Sequence, residues 1–126
     1  MNPLRQAPSF DDAIILAARA HYGQTDRAGE PYILHVLRVA LKQSDPTTRV
    51  VALLHDVVED TAISLNDLHE FGYGDEVVAA IACITRNEAE VYDEYIERVL
   101  TNRVACRVKL ADLEDNMEPA PPLLCQ

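Results

Sequence analysis

With 126 residues the chain has the size of one domain and can bury a continuous core. Its 21 acidic residues against 11 basic ones give a formal net charge of −10, which argues against a polynucleotide or an anionic membrane surface as partner. No apolar run approaches the ~20 residues that span a bilayer, and the start lacks a basic-then-apolar signal pattern, so a soluble, cytoplasmic protein is expected. A small anionic ligand stays compatible with the acidity, because a bound cation and one or two arginines can reverse the potential inside a cleft.

Hydrophobic periodicity is helical nearly throughout, with four glycines that fall between the apolar stripes, so an all-α domain is predicted, a compact bundle of six to seven helices. The first helix is expected over Phe10 to Tyr22, capped by Ser9, with two acidic residues in its first turn and Gly23 as its stop. A polar loop follows, Gln24 to Pro31, and then a helix over Tyr32 to Gln43. Asp45 and Pro46 place a cap and a first-turn proline before a third helix, in which Val50, Val51, Leu53, Leu54, Val57 and Val58 cover most of the circumference. That is the pattern of a helix in the middle of a bundle.

Ser64 and Asp67 open a short helix in capping-box fashion, with Asp a weaker partner than Glu or Gln. Beyond Gly72 and Gly74, helices are predicted over Asp75 to Arg86, Ala89 to Leu100 and Asn102 to Glu114. Residues 10–117 form the expected core of one domain spanning 1–126, and 118–126 read as a tail with Pro119, Pro121 and Pro122. Cys83, Cys106 and Cys125 form no CxxC pair and read as ordinary buried thiols.

The third helix carries the string HDVVEDT, which sets His55, Asp56, Glu59 and Asp60 among valines and leucines. Buried charges are normally paired, neutralised or coordinated to a metal, and basic partners are absent nearby in sequence. On a continuous helix, Glu59 lies one turn beyond His55 and Asp60 one turn beyond Asp56, so all four can face one cleft. One turn is room for a metal and its water at one level and a proton-handling carboxylate at the next. Further ligands must come from elsewhere. His35 in YILHVLRVA and Asp112 in VKLADLEDN sit on otherwise apolar helix faces. A mixed imidazole and carboxylate set suits Mn²⁺, Fe²⁺ or Zn²⁺ better than Ca²⁺. A lone helical histidine is more often a packing residue; the order H, HD, D across three helices is the specific signal. Lys109, three residues before Asp112, either adds positive charge or holds Asp112 or Glu59 in a salt bridge. Tyr32 either stacks on a base or packs beneath the loop. His21 is expected to bond the adjoining loop, His69 to be exposed, and Tyr92 and Tyr95 to be half-buried packing residues.

From about Asp12 to Met117 the chain resembles the HD-domain phosphohydrolases, and within them the RelA/SpoT-type alarmone hydrolases and their small stand-alone relatives. The landmarks are AARAHYGQ, RAGEPYILH with VLRVA, ALLHDVVEDT, FGYGDEVVAAIACITR and VKLADLEDN. The resemblance implies one Mn²⁺ held by His35, His55, Asp56 and Asp112, with Glu59 and Asp60 orienting and deprotonating the attacking water. It further implies nucleotide contacts from Arg27 and Asn116, and hydrolysis of the 3′-pyrophosphate of guanosine tetra- or pentaphosphate with release of pyrophosphate. Two departures bear on the substrate. Asp26 stands where the family commonly has a basic residue, and Pro119 falls at a polar nucleotide-binding position. They motivate two alternatives: another nucleotide as substrate (the 2′-phosphate of NADPH, or an adenosine-based alarmone), or a shortened non-catalytic nucleotide-binding module. A pocket with one wall missing is also compatible with a homodimer.

Overall fold

The computed structural model describes residues 7–117; the proline-rich tail, with Pro119 and Cys125, lies outside them. The described residues form eight α-helices: α1 (Phe10–Ala20), α2 (Ile33–Leu41), α3 (Pro46–Leu54), α4 (Val57–Asp60), α5 (Leu65–Glu70), α6 (Asp75–Ile84), α7 (Tyr92–Leu100) and α8 (Arg103–Met117). No strand is present among them, as the all-α prediction requires; a single antiparallel bridge, Thr25 to Pro31, pinches the loop between α1 and α2.

Local chemistry sets the helix starts. Ser9 and Asp12 bond each other's backbone amides at 3.1 and 2.9 Å, a complete capping box at α1, and Ser64 with Asp67 does the same at α5 with distances of 3.0 and 2.9 Å. Asp45 accepts from the Thr48 amide at 3.0 Å to cap α3. The Asn102 side chain accepts from the Ala105 amide at 2.9 Å and so starts α8. Gly23 closes the turn after α1 at φ 81°, a left-handed conformation that costs glycine little.

The predicted third helix is two helices, α3 and α4, broken at His55 and Asp56. His55 Nδ1 donates to the Ala52 carbonyl at 2.6 Å, the acceptor that an unbroken helix reserves for the Asp56 amide. Asp56 sits at φ −101°, ψ −4°, in the sparsely populated bridge region. The break therefore coincides with the two most polar residues of the buried stretch. The spacing argument survives within α4, where the Asp60 amide still bonds the Asp56 carbonyl at 2.9 Å.

Two more boundaries differ from expectation by three residues, while those of α1, α2 and α6 and the start of α8 shift by one or two. α7 starts at Tyr92, not Ala89, because Glu90 is engaged in the preceding turn: it accepts from the Asn87 amide at 3.2 Å and pairs with Arg98, whose Nη2 also donates to the Thr85 carbonyl at 2.6 Å. α8 runs on to Met117, three residues past the predicted end, which carries Asp115 and Asn116 into the helix.

Val51, Ala52, Leu53 and Leu54 are all fully buried, so the last turn of α3 is enclosed on every side, while Pro46 and Arg49 nearer its start are exposed; α1, α2, α6 and α8 pack against the helix. Its burial fixes the depth at which His55 enters the core. Cys83 and Cys106 are half-buried free thiols, more accessible than expected because each lies at the margin of the core cluster.

Replacing Asp45 by Ala should cost about 1 kcal/mol of stability, measured by urea denaturation at neutral pH. The bonds from Thr48 hold the Asp45 carboxyl below its ordinary pKa. The cap's charge-dependent stabilisation is thus fully present above the unfolded carboxylate pKa and is lost as pH falls through the lowered folded value. The gap between wild type and D45A should accordingly narrow in acid.

Candidate metal centre

α2, the α3/α4 break and α8 converge on one point. One nitrogen each from His35 and His55 and one oxygen each from Asp56 and Asp112 lie within 4.8 Å of one another, a set able to hold a metal ion. His35 Nε2 is 2.9 Å from Asp112 Oδ1; His55 Nε2 is 3.0 Å from Asp56 Oδ2 and 3.5 Å from Asp112 Oδ1. The imidazole rings meet edge-on with centroids 5.8 Å apart. All four residues are buried except Asp56, which is partly exposed.

The donor set fits a divalent cation. His55 Nε2 is buried without a hydrogen-bond partner: both nearby carboxylate oxygens are close but not aligned with it. A buried polar atom left this way is costly, and convergence of lone pairs on a shared point explains it. The Ala52 carbonyl holds Nδ1 and so leaves Nε2 as the free nitrogen, the outer bond that metal-binding histidines commonly make.

Electrostatics point the same way. Burial disfavours charge on His55, yet Asp56 and Asp112 outweigh it and push its pKa up to about 10. Burial likewise opposes ionisation of Asp112, but the bond from His35 and the neighbouring charges of His55 and Lys109 hold its carboxyl well below the usual carboxylate range. The site thus gathers anionic charge and calls for positive charge at its centre.

The sequence-predicted residues fall into an inner and an outer group. Glu59 and Asp60 stand exposed on α4; burial and the neighbouring Asp56 charge raise both carboxyls above their ordinary range. Asp60 Oδ2 accepts from Gln24 Nε2 at 3.4 Å. Lys109 Nζ lies 3.2 Å from Asp112 Oδ2, which makes it the salt-bridge partner of a candidate ligand. Asn116 Nδ2 reaches Asp112 Oδ1 at 3.5 Å, long for a hydrogen bond. Tyr32 packs against the site: its hydroxyl donates to Asp56 Oδ2, and its ring centroid lies 4.9 Å from that of His21 and 5.3 Å from that of His35. Arg27 is exposed on the pinched loop, outside the four-residue cluster.

Asp26 is turned inward to its own loop. Its Oδ1 accepts from the amides of Ala28 and Glu30 at 2.9 and 3.0 Å. His21 bonds Gln24 at 2.9 Å, as expected of a residue tying down the loop, and His69 is exposed. Tyr95 is buried, its hydroxyl donating to the Ile84 carbonyl at 2.6 Å, while Tyr92 is exposed. Three residues around the site were not singled out in the sequence: Gln24, Arg38 and Asp115. Asp115 follows Asp112 by three residues and Arg38 follows His35 by three, a helical spacing that marks both as same-face neighbours of candidate ligands.

A helical fold with two histidines and two aspartates converging from three places in the chain defines a class. The sequence model of the HD domain matches residues 13–94, and the chain belongs to the HD domain family. Asp112 lies beyond that match and is brought to the cluster by α8. Among curated relatives, the bifunctional (p)ppGpp synthase/hydrolase SpoT of Escherichia coli strain K12 is 31% identical over 130 residues, covering 91% of this chain and 18% of the relative. A guanosine-3′,5′-bis(diphosphate) 3′-pyrophosphohydrolase of Aquifex aeolicus is 31% identical over 123 residues, covering 90% and 18%. The chain thus spans about a fifth of the length of these relatives. A solved structure of a metazoan ortholog of SpoT that hydrolyzes ppGpp superposes with a TM-score of 0.71 at 29% identity, covering 89% of this chain and 70% of that one. Among the described residues, no helix is long and apolar enough to cross a membrane.

A divalent cation at 100 times its Kd should stabilise the folded chain by about 2.7 kcal/mol, read as a rise in melting temperature. Asp112→Ala should abolish the rise. An unchanged rise in the variant would place the ion elsewhere.

Proposed function

We propose that this chain is an Mn²⁺-dependent phosphohydrolase, one HD-type hydrolase domain over about residues 10–117, that removes the 3′-pyrophosphate of guanosine tetra- or pentaphosphate. The observation that carries the reading is the convergence of His35, His55, Asp56 and Asp112 with Glu59 and Asp60 one helical turn beyond Asp56. Similarity to relatives named for this hydrolysis supplies the substrate class. The donor set of two imidazoles and two carboxylates suits Mn²⁺. We take the setting to be cytoplasmic and the partner to be the nucleotide.

What a divalent ion supplies when bound is a polarised phosphoryl oxygen and water of lowered pKa. The remaining tasks fall to the chain. Asp60, steadied by Gln24, and Glu59 stand at the exposed side of the cluster, where a carboxylate can orient the attacking water and take its proton. Lys109 holds Asp112 and adds positive charge beside it. Tyr32 fixes Asp56 through its hydroxyl. Arg27 and Asn116 are the residues we assign to the nucleotide, Arg27 from the loop and Asn116 from the last turn of α8. With its carboxylate held by its own loop amides, Asp26 need not oppose a substrate carrying several phosphates.

The test is a nucleotide panel with Mn²⁺, products identified by mass, and pyrophosphate and phosphate assayed separately. Pyrophosphate from a guanosine alarmone supports the proposal; phosphate alone, released from NADPH, replaces the substrate and keeps the site; no turnover of any nucleotide favours a binding module. Asp60→Asn should lower kcat by about 10² to 10⁴-fold, the usual worth of a general base, with Mn²⁺ affinity retained. Wild-type turnover in that variant would remove Asp60 from the mechanism.

A further inference from the structure

α2 and α8 each present two polar side chains three residues apart, His35 with Arg38 and Asp112 with Asp115, and the pairs meet across the interface. The Asp115 side chain is 4% exposed. Its Oδ2 lies 2.6 Å from His35 Nδ1 and 3.1 Å from Arg38 Nη2, and its Oδ1 lies 2.7 Å from Arg38 Nε. The guanidinium thus engages both oxygens in a fork that favours the ionised carboxylate. An ionised carboxylate only accepts, so His35 Nδ1 is the donor in the short bond.

The consequence falls on the other ring nitrogen. With Nδ1–H committed to Asp115, a flip of the ring would break this short buried bond, and Nε2 faces Asp112 Oδ1 at 2.9 Å. His55 is arranged alike, its Nδ1 committed to the Ala52 carbonyl. The two imidazoles of the cluster are therefore both aimed from behind, one by backbone and one by a side chain.

We propose that Asp115, clamped by Arg38, is a positioning residue that fixes His35 so that Nε2 is offered to a divalent cation. The proposal rests on the reading of His35 as a metal ligand. A purely architectural role, in which Asp115 and Arg38 only tie α2 to α8, makes a different forecast: removal of Asp115 would loosen the fold without a specific link to His35.

Mn²⁺ binding to the full metal-free chain, followed through the paramagnetic resonance signal of the free ion, separates the two. The chains compared are wild type, D115N, D115A, H35A and the H35A/D115A double variant, with melting temperatures of the metal-free forms recorded alongside. D115A should raise the Kd for Mn²⁺ by about 10 to 100-fold, the usual worth of an outer partner of a ligating histidine. D115N should lose less, because its amide oxygen can still accept from Nδ1, although it cannot serve both His35 and the whole Arg38 fork. In the H35A background D115A should change the Kd by less than about twofold, since a residue acting through His35 has nothing left to act on. Equal Kd values for wild type and D115A, or the same fold loss with and without His35, would overturn the proposal. Should D115A fail to fold, D115N against H35A/D115N carries the same comparison. Absence of Mn²⁺ binding by wild type would instead strike the metal reading itself, before any variant is considered.

Discussion

Bringing two imidazoles and two carboxylates together at the wall of an apolar helix is the constraint to which the rest of this structure answers. The last turn of α3 is enclosed on all sides, so whatever follows it is delivered into a region of weak screening, where unpaired charge is expensive. Three carboxylates, those of Asp56, Asp112 and Asp115, gather there. Lys109 answers Asp112 and Arg38 answers Asp115, while Asp56 has the Tyr32 hydroxyl and His55. The carboxylates of Asp56 and Asp112 meet the two imidazoles where the four donor atoms converge. A divalent cation held there by neutral imidazoles would offset the carboxylate charge.

Much of this was legible in the chain because helix physics is local. Ser9 with Asp12 and Ser64 with Asp67 announce helix starts through side chains that reach only three residues, and both boxes form. The cluster was legible for the opposite reason: charged residues in an apolar stripe violate the pattern, and a violation calls for an explanation. What could not be read depends on contacts remote in sequence or on one bond's competition with another. The break at His55 and Asp56 requires knowing that the His55 ring takes the Ala52 carbonyl, a choice of rotamer rather than of residue type. The late start of α7 requires knowing that Arg98 draws Glu90 and the Thr85 carbonyl together. Asp115 is 80 residues from the histidine it bonds.

The loop between α1 and α2 shows how a charge that looks obstructive in sequence is absorbed by structure. Asp26 organises the turn through two amides and leaves the rim to other residues. The same loop places Gln24 between His21 and Asp60, so the carboxylate assigned to proton transfer is tied to α1 through one amide side chain. Loop and site are therefore not separable: residues that fold the loop also orient the groups at the mouth of the cluster.

α8 has the widest reach. It lies beyond the stretch matched by the family model, yet it carries Lys109, Asp112, Asp115 and Asn116 on successive turns, all directed to the same end of the bundle. Its extension to Met117 is what keeps Asp115 and Asn116 in helical register with Asp112. The centre is thus completed only when the last described helix packs on α2 and α3, and anything that binds across that junction must stabilise the packed state over the unfolded one. Packing of α8 and occupancy of the site are, by this linkage, coupled equilibria.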